Sequence, residues 1–141
     1  MTSPDTTSPQ SAPTSTILVV DDEVLIRMTI CQYLRECGYK VIEAASADEA
    51  LQILESNMPI DVVLSDVAMR GSMDGFGLAK WIRNNKKGLE IILVGSPERA
   101  ANTAAELCEA GPILAKPYEP QVIVDTIRRL AAFRTDRRPQ T

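Results

Sequence analysis

Short runs of apolar, mostly branched residues recur along the chain, and longer stretches with apolar residues three or four positions apart separate them. Runs of the first kind are typical of strands buried on both faces of a sheet, and the wider spacing is typical of amphipathic helices. The predicted strands are residues 17–20, 40–44, 60–66, 91–94 and 113–115. A helix is predicted after each of them. Such alternation predicts an α/β fold, a doubly wound parallel sheet with helices on both faces.

The predicted helices carry start and stop signals. The first has apolar residues at spacings of four, four and three on one face: Ile26, Ile30, Leu34 and Cys37. Gly38 follows in the position that commonly ends a helix. Residues 46–49 form a capping box that opens the second helix, with Ser46 and Glu49 as its two polar ends.

The chain has 141 residues, enough for one domain with one core. Residues 1–15 are rich in Ser, Thr and Pro, so we expect them to be disordered. The predicted domain covers residues 16–133, and residues 134–141 are predicted to be a flexible basic tail. No apolar run is long enough to cross a bilayer, and no secretory signal is visible.

The composition excludes several kinds of chemistry. There is no histidine, which rules out Ser-His-Asp and Cys-His catalysis and histidine metal sites. The net charge of −4 gives no support for binding to nucleic acid or an anionic membrane. Cys31, Cys37 and Cys108 have no metal-ligand spacing, and we expect them to be reduced thiols in or near the core. Their odd number favours a cytoplasmic protein.

Charged side chains follow three of the predicted strands. Asp21 and Asp22 follow the first, Asp66 ends the third, and Lys116 follows the fifth. Parallel strands end at one edge of a doubly wound sheet, which is where such folds bind ligands. Clustered carboxylates favour a cation, and Mg²⁺ prefers hard oxygen ligands. A carboxylate beside Mg²⁺ and a lysine is suited to accept a phosphoryl group.

Four motifs occur in order, each after a predicted strand: VVDDE, VVLSDVAM with a later MDG, ILVGS, and LAKPY. Together they resemble the receiver domain of two-component response regulators, and the resemblance covers residues 16–133. It implies a flavodoxin-like fold with strand order 2-1-3-4-5. It also implies phosphorylation by a histidine kinase or a histidine phosphotransfer protein.

The resemblance also implies roles for single residues. Asp66 corresponds to the phosphoacceptor and is a ligand of Mg²⁺. Asp22 corresponds to the direct metal ligand, Asp21 to an acid that acts largely through bound water, and Ala68 to a ligand through its backbone carbonyl. Lys116 corresponds to the phosphoryl contact, and its bond to Pro117 is expected to be cis. Taken singly, each residue also has a plainer interpretation, such as a helix cap, a helix-start acid or a solvated lysine.

The chain departs from the family pattern at several positions. Gly95 stands where Thr or Ser usually supplies a hydroxyl to the phosphoryl group. Ser96 either supplies that hydroxyl after a rearrangement or only caps the next helix, and both hypotheses stay open. Ile113 replaces an aromatic residue that usually partners the hydroxyl, and Arg70 replaces a proline. The glycines after Asp66 are expected to provide backbone freedom.

Ala68 and Pro97 carry no polar side chain to position an attacking water. We therefore expect slow self-dephosphorylation, with a phosphoryl lifetime of minutes or longer, and no other enzymatic activity beyond self-phosphorylation from small phosphodonors.

The leading interpretation is a receiver without a DNA-binding output domain, because few residues follow Phe133. It would signal to an unidentified protein, with helix 4, strand 5 and helix 5 as the output surface or a homodimer interface. A second hypothesis is a degenerate receiver that binds partners without phosphorylation. A third is an aspartate-nucleophile phosphatase of the haloacid dehalogenase type, which would need a second Asp at the position of Ala68.

Overall fold

The computed structural model describes residues 15–109 and 120–137. Within these ranges strands and helices alternate as the sequence predicts. Their bounds are β1 Thr16–Val20, α1 Val24–Glu36, β2 Lys40–Ala44, α2 Ala47–Glu55, β3 Val62–Asp66, α3 Gly75–Asn85, β4 Glu90–Val94, α4 Pro97–Glu109 and α5 Pro120–Arg137. The predicted fifth strand, at 113–115, lies outside the described residues.

All the strand pairs of the described sheet are parallel, in the order β2-β1-β3-β4. At one edge Val20 pairs with Ala44 on one side and with Ser65 on the other, and Asp66 pairs with Val94. These strand ends therefore lie next to each other. The order agrees with the predicted doubly wound sheet, and it brings the segments that follow β1, β3 and β4 to one rim.

Each face of the sheet is covered by helices. Alternate residues of β1 point to opposite faces, so Ile17 and Val19 pack with α1, α4 and α5, whereas Leu18 and Val20 pack with α2 and α3. The predicted inner face of α1 is confirmed, because its four apolar residues are buried: Ile26, Ile30, Leu34 and Cys37. Burial on both faces explains why the strands appear in the sequence as continuous apolar runs.

The predicted helix ends are largely confirmed. Gly38 has φ +105°, the left-handed conformation that suits glycine after a helix. The Ser46 hydroxyl accepts a hydrogen bond from the Glu49 N–H at 3.1 Å. The Glu49 carboxylate accepts from the Ala45 N–H at 2.7 Å, one residue before the usual partner in a capping box.

Helix α5 continues to Arg137, whereas the sequence predicted a flexible tail from residue 134. The reason lies in the composition of this segment, which has neither glycine nor proline between residues 121 and 138. Pro139 is the first residue that cannot continue the helix.

The prediction that all three cysteines are reduced is wrong for two of them. Cys37 and Cys108 form a disulfide with a Cα–Cα distance of 5.4 Å, and Cys31 is a free, buried thiol. The sequence gives no sign of this pairing, because the two residues are 71 positions apart and meet only when α1 and α4 pack on the same face of the sheet. Unpaired cysteines therefore no longer support a cytoplasmic location.

Among the described helices, none combines the length and the apolarity that a bilayer span requires.

Candidate functional site

An open pocket of about 530 Å³ lies at the carboxyl edge of the sheet. The segments that follow β1, β3 and β4 form its walls. Its lining includes several residues that the sequence analysis singled out: Asp22, Asp66, Ala68, Arg70, Gly95 and Ser96. The predicted site residues Lys116 and Pro117, with the expected cis bond between them, lie outside the described residues.

The three predicted acids form one cluster, of which Asp22 and Asp66 line this pocket and Asp21 is buried beside them. One carboxylate oxygen from each of Asp21, Asp22 and Asp66 lies within 4.8 Å of the other two. The end of β1 is held in place at Asp21, whose N–H donates to the Ala44 carbonyl at 3.1 Å and whose carbonyl accepts from the Arg27 guanidinium at 2.8 Å. No local pattern in the sequence indicates this role of Arg27.

Burial and neighbouring charges perturb the pKa of Asp21. Its side chain is buried, and its Oδ1 accepts a hydrogen bond from the Glu23 N–H at 2.8 Å. The pKa of Asp21 is raised to about 7, mainly by burial and to a lesser extent by the charges of Asp66 and Asp22, against the lowering effect of that hydrogen bond. The cluster therefore favours uptake of either a proton or a cation near neutral pH.

A divalent cation fits this set of ligands. Carboxylate oxygens are hard ligands, and their separation allows one ion to be shared. An ion would also offset the charges of Asp66 and Asp22, which add to the effect of burial on the pKa of Asp21. Asp21, Asp22 and Asp66 are the residues that would hold Mg²⁺. Ala68 is exposed in the pocket wall, and its N–H donates to Asp66 Oδ1 at 3.4 Å. Its predicted role as a carbonyl ligand stays a prediction.

Asp22 also has a partner that the sequence analysis did not foresee. Its Oδ2 accepts two hydrogen bonds from Arg70, one from the backbone N–H at 3.0 Å and one from Nε at 3.2 Å. The only signal in the sequence was that arginine replaces the proline of the family pattern. The contact ties the loop after β3 to the segment after β1.

Gly75 packs closely against the backbone of Asp66. A Cβ atom on Gly75 would lie 2.3 Å from the carbonyl oxygen of Asp66 and 2.8 Å from the Cα of Val67. The N–H of Gly75 donates to the Val67 carbonyl at 2.9 Å. Gly75 does not have a positive φ, unlike Gly71 at +114°. The expectation of backbone freedom therefore fits Gly71, whereas Gly75 is needed for close packing.

Ser96 is predicted either to cap α4 or to supply a hydroxyl to the phosphoryl group, and its contacts show the cap. Its hydroxyl accepts a hydrogen bond from the Arg99 N–H at 3.1 Å, so it caps α4. Ser96 also lines the pocket, and the alternative of a hydroxyl that turns toward a phosphoryl group stays a prediction. Gly95 is exposed, and a Cβ atom there would meet nothing within 4 Å.

Comparison with known proteins decides the family. The family described as the response regulator receiver domain matches residues 17–128. The chain belongs to this family. Receiver domains interact with histidine kinases or phosphotransfer proteins, and they generally bind Mg²⁺ at an acidic cluster such as the one formed by Asp21, Asp22 and Asp66.

Curated relatives of this receiver domain include regulators of different lengths. The transcriptional regulatory protein ResD of Bacillus subtilis is 34% identical over 115 residues, which cover 81% of this chain and 47% of ResD. The "Probable chemotaxis protein CheY" of Rhizobium etli is 34% identical over 105 residues, 72% of this chain and 81% of that protein. The receiver therefore spans about half the length of ResD and most of the length of CheY.

Solved structures confirm the predicted flavodoxin-like fold. The chemotaxis response regulator CheY4 of Vibrio cholerae has 31% sequence identity and a TM-score of 0.56, and the match covers 84% of this chain and 99% of CheY4. A receiver domain protein from Clostridium thermocellum has 26% identity and the same TM-score of 0.56, over 84% of this chain and 98% of that one.

Proposed function

We propose that this receiver accepts a phosphoryl group on Asp66 from a phosphohistidine of a histidine kinase or a histidine phosphotransfer protein. The clustering of the Asp21, Asp22 and Asp66 carboxylates supports this proposal most directly. Asp66 lies at the end of a buried strand, and its half-buried side chain reaches the pocket. It therefore combines a fixed position with access for a donor.

In the proposed reaction, a carboxylate oxygen of Asp66 attacks the phosphorus of the donor's phosphohistidine. The new P–O bond forms while the P–N bond breaks, and the imidazole leaves with the electron pair and takes up a proton. When bound at the acidic cluster, Mg²⁺ neutralises charge on the phosphoryl oxygens. Lys116 is proposed to contact the same oxygens, although it lies outside the described residues.

Exposed apolar side chains near the pocket support a protein as the donor. Glu23 and Asp74 line the pocket and directly precede α1 and α3. The first two turns of these helices expose four large apolar side chains by 51% to 60%: Val24, Leu25, Met28 and Phe76. A phosphohistidine protein that docks over the pocket would cover this surface.

The output is also proposed to pass through protein contacts rather than direct DNA binding. Helices α4 and α5 pack against each other and are the described parts of the proposed output surface, to which residues 113–115 would contribute the fifth strand. A homodimer through this surface is part of the same proposal.

Incubation with acetyl phosphate and Mg²⁺, followed by intact mass measurement, tests the function. We expect the gain of one phosphoryl group in the wild type and in an Asp125→Asn control on α5, and no gain in Asp66→Asn. The side chains of Ala68 and Pro97 have no polar group that could position an attacking water. We therefore predict that the phosphoryl group persists for minutes or longer. No gain in the wild type would favour a phosphorylation-independent binding module, and a lifetime of seconds would contradict slow self-dephosphorylation.

Replacing Gly95 by serine should improve phosphorylation, because the space beside it is open and the new hydroxyl could donate to the phosphoryl group. One such hydrogen bond predicts a rise of about two- to tenfold in the phosphorylated fraction at limiting acetyl phosphate. Gly95→Ala adds the Cβ atom without the hydroxyl and is the matched control. An equal rise in both variants would show that backbone stiffening, and not the hydroxyl, is responsible.

A further inference from the structure

The contact between Arg70 and Asp22 places a fixed positive charge on a predicted metal ligand. The two residues are 48 positions apart in the sequence, and both the backbone N–H and the Nε–H of Arg70 donate to the same oxygen, Asp22 Oδ2. The side chain of Asp22 is 16% exposed, whereas that of Arg70 is 83% exposed. The carboxylate is thus held in the pocket wall, and the guanidinium covers it from the solvent side.

This arrangement opposes metal binding at Asp22. An oxygen that already accepts two hydrogen bonds has less electron density to offer an ion, and the guanidinium charge repels a divalent cation. Arginine does not lose its proton in proteins, so raising the pH does not relieve the competition. Mg²⁺ must displace the guanidinium or share Asp22 with it.

We propose that Arg70 is a positioning residue that competes with Mg²⁺ for Asp22 and thereby lowers the metal affinity of this receiver. The proposal rests on the proposed function, because it assumes that Mg²⁺ binds at the acidic cluster. The side chain of Arg70 holds Asp22 in the absence of metal and leaves it when the ion binds. The backbone N–H of Arg70 keeps the loop after β3 in place in both states.

The expected effect is modest. Ion pairs with a strongly exposed partner contribute little, so removal of the guanidinium should tighten Mg²⁺ binding by about two- to fivefold. Arg70→Ala isolates this effect, because alanine retains the backbone N–H that donates to Asp22. The exposure of Arg70 also means that the substitution leaves the core intact.

Isothermal titration with MgCl2 alone tests the proposal on the wild type, Arg70→Ala and Arg83→Ala. Arg83 is exposed in the last turn of α3, whose other end borders the pocket, so its loss changes the net charge equally without touching Asp22. We expect a two- to fivefold lower Kd for Arg70→Ala and an unchanged Kd for Arg83→Ala. An unchanged Kd in Arg70→Ala, or equal changes in both variants, would overturn the proposal.

A second readout follows the guanidinium itself. The Nε–H resonance of Arg70, assigned by its loss in Arg70→Lys, should shift during an NMR titration of the wild type with MgCl2 and follow the same Kd. A resonance that stays constant while Mg²⁺ binds would show that Arg70 does not leave Asp22. If the wild type did not bind Mg²⁺ at all, the metal site of the proposed function would be wrong. The inference about Arg70 would then be wrong as well.

Discussion

Reduction of the Cys37–Cys108 disulfide is expected to lower the free energy of unfolding by about 4 kcal/mol. The bond closes a loop with a sequence separation of 71 residues, and a loop of that length restricts the unfolded chain strongly in the chain-entropy description. Domains of this size are stable by about 5–15 kcal/mol, so the loss is a large share of the total.

The position of the bond explains why its loss should affect two helices at once. Cys37 follows the end of α1 and Cys108 lies in the last turn of α4, and both are buried. Beside them, the Tyr39 hydroxyl donates a hydrogen bond to the Leu107 carbonyl. Helices α1 and α4 each begin next to the acidic pocket and are joined by the bond at their far ends.

Urea unfolding measures the difference in unfolding free energy between two samples. One is the oxidised protein, and the other is protein that has been reduced in denaturant and then refolded. Cys31→Ala keeps the disulfide and should lose the same free energy on reduction, whereas the double variant Cys37→Ala, Cys108→Ala should not respond to reductant. Alkylation of the denatured, unreduced protein should label Cys31 alone among the three cysteines. Equal unfolding free energies of oxidised and reduced wild type would contradict the prediction.

Substitution of Gly75 by alanine is expected to destabilise the protein by about 3 kcal/mol and to slow phosphorylation of Asp66. The new Cβ atom would lie 2.3 Å from the Asp66 carbonyl oxygen and 2.8 Å from the Val67 Cα. Because both of these are backbone atoms, the chain around Asp66, the proposed phosphoacceptor, must move. Urea unfolding and the rate of phosphorylation by acetyl phosphate measure the two effects.

Gly77→Ala provides a matched control two residues further along α3. A Cβ atom there would lie 2.8 Å from Met73 Cγ, an atom of a flexible side chain that can move aside. Alanine also favours the helix interior over glycine by about 0.5–1 kcal/mol. Gly77→Ala should therefore be neutral or slightly stabilising and should phosphorylate normally. If the two variants behaved alike, close packing against Asp66 would not be the reason for glycine at position 75.

Much of the fold could be predicted because its signals are local. The buried strands are continuous apolar runs, and Gly38 and Ser46 mark helix ends through the conformations and hydrogen bonds that these residue types favour. The acids of the site could be placed as well, since parallel strands with helical crossovers must end at a common rim. The predicted end of helix α5 before residue 134 is too early, because charged residues are typical of a flexible tail but do not by themselves stop a helix.

Residue patterns alone were enough to predict the alternation of strands and helices, the burial of the sheet on both faces, and the position of Asp21, Asp22 and Asp66 at strand ends. All of these follow from residue types within a few positions of one another and from the topology of parallel strands. Three features could be seen only in the folded molecule: the bond between Cys37 and Cys108, the contact of Arg70 with Asp22, and the packing of Gly75 on the Asp66 backbone. These are contacts between separate segments, whose distances depend on how the helices and loops pack against the sheet.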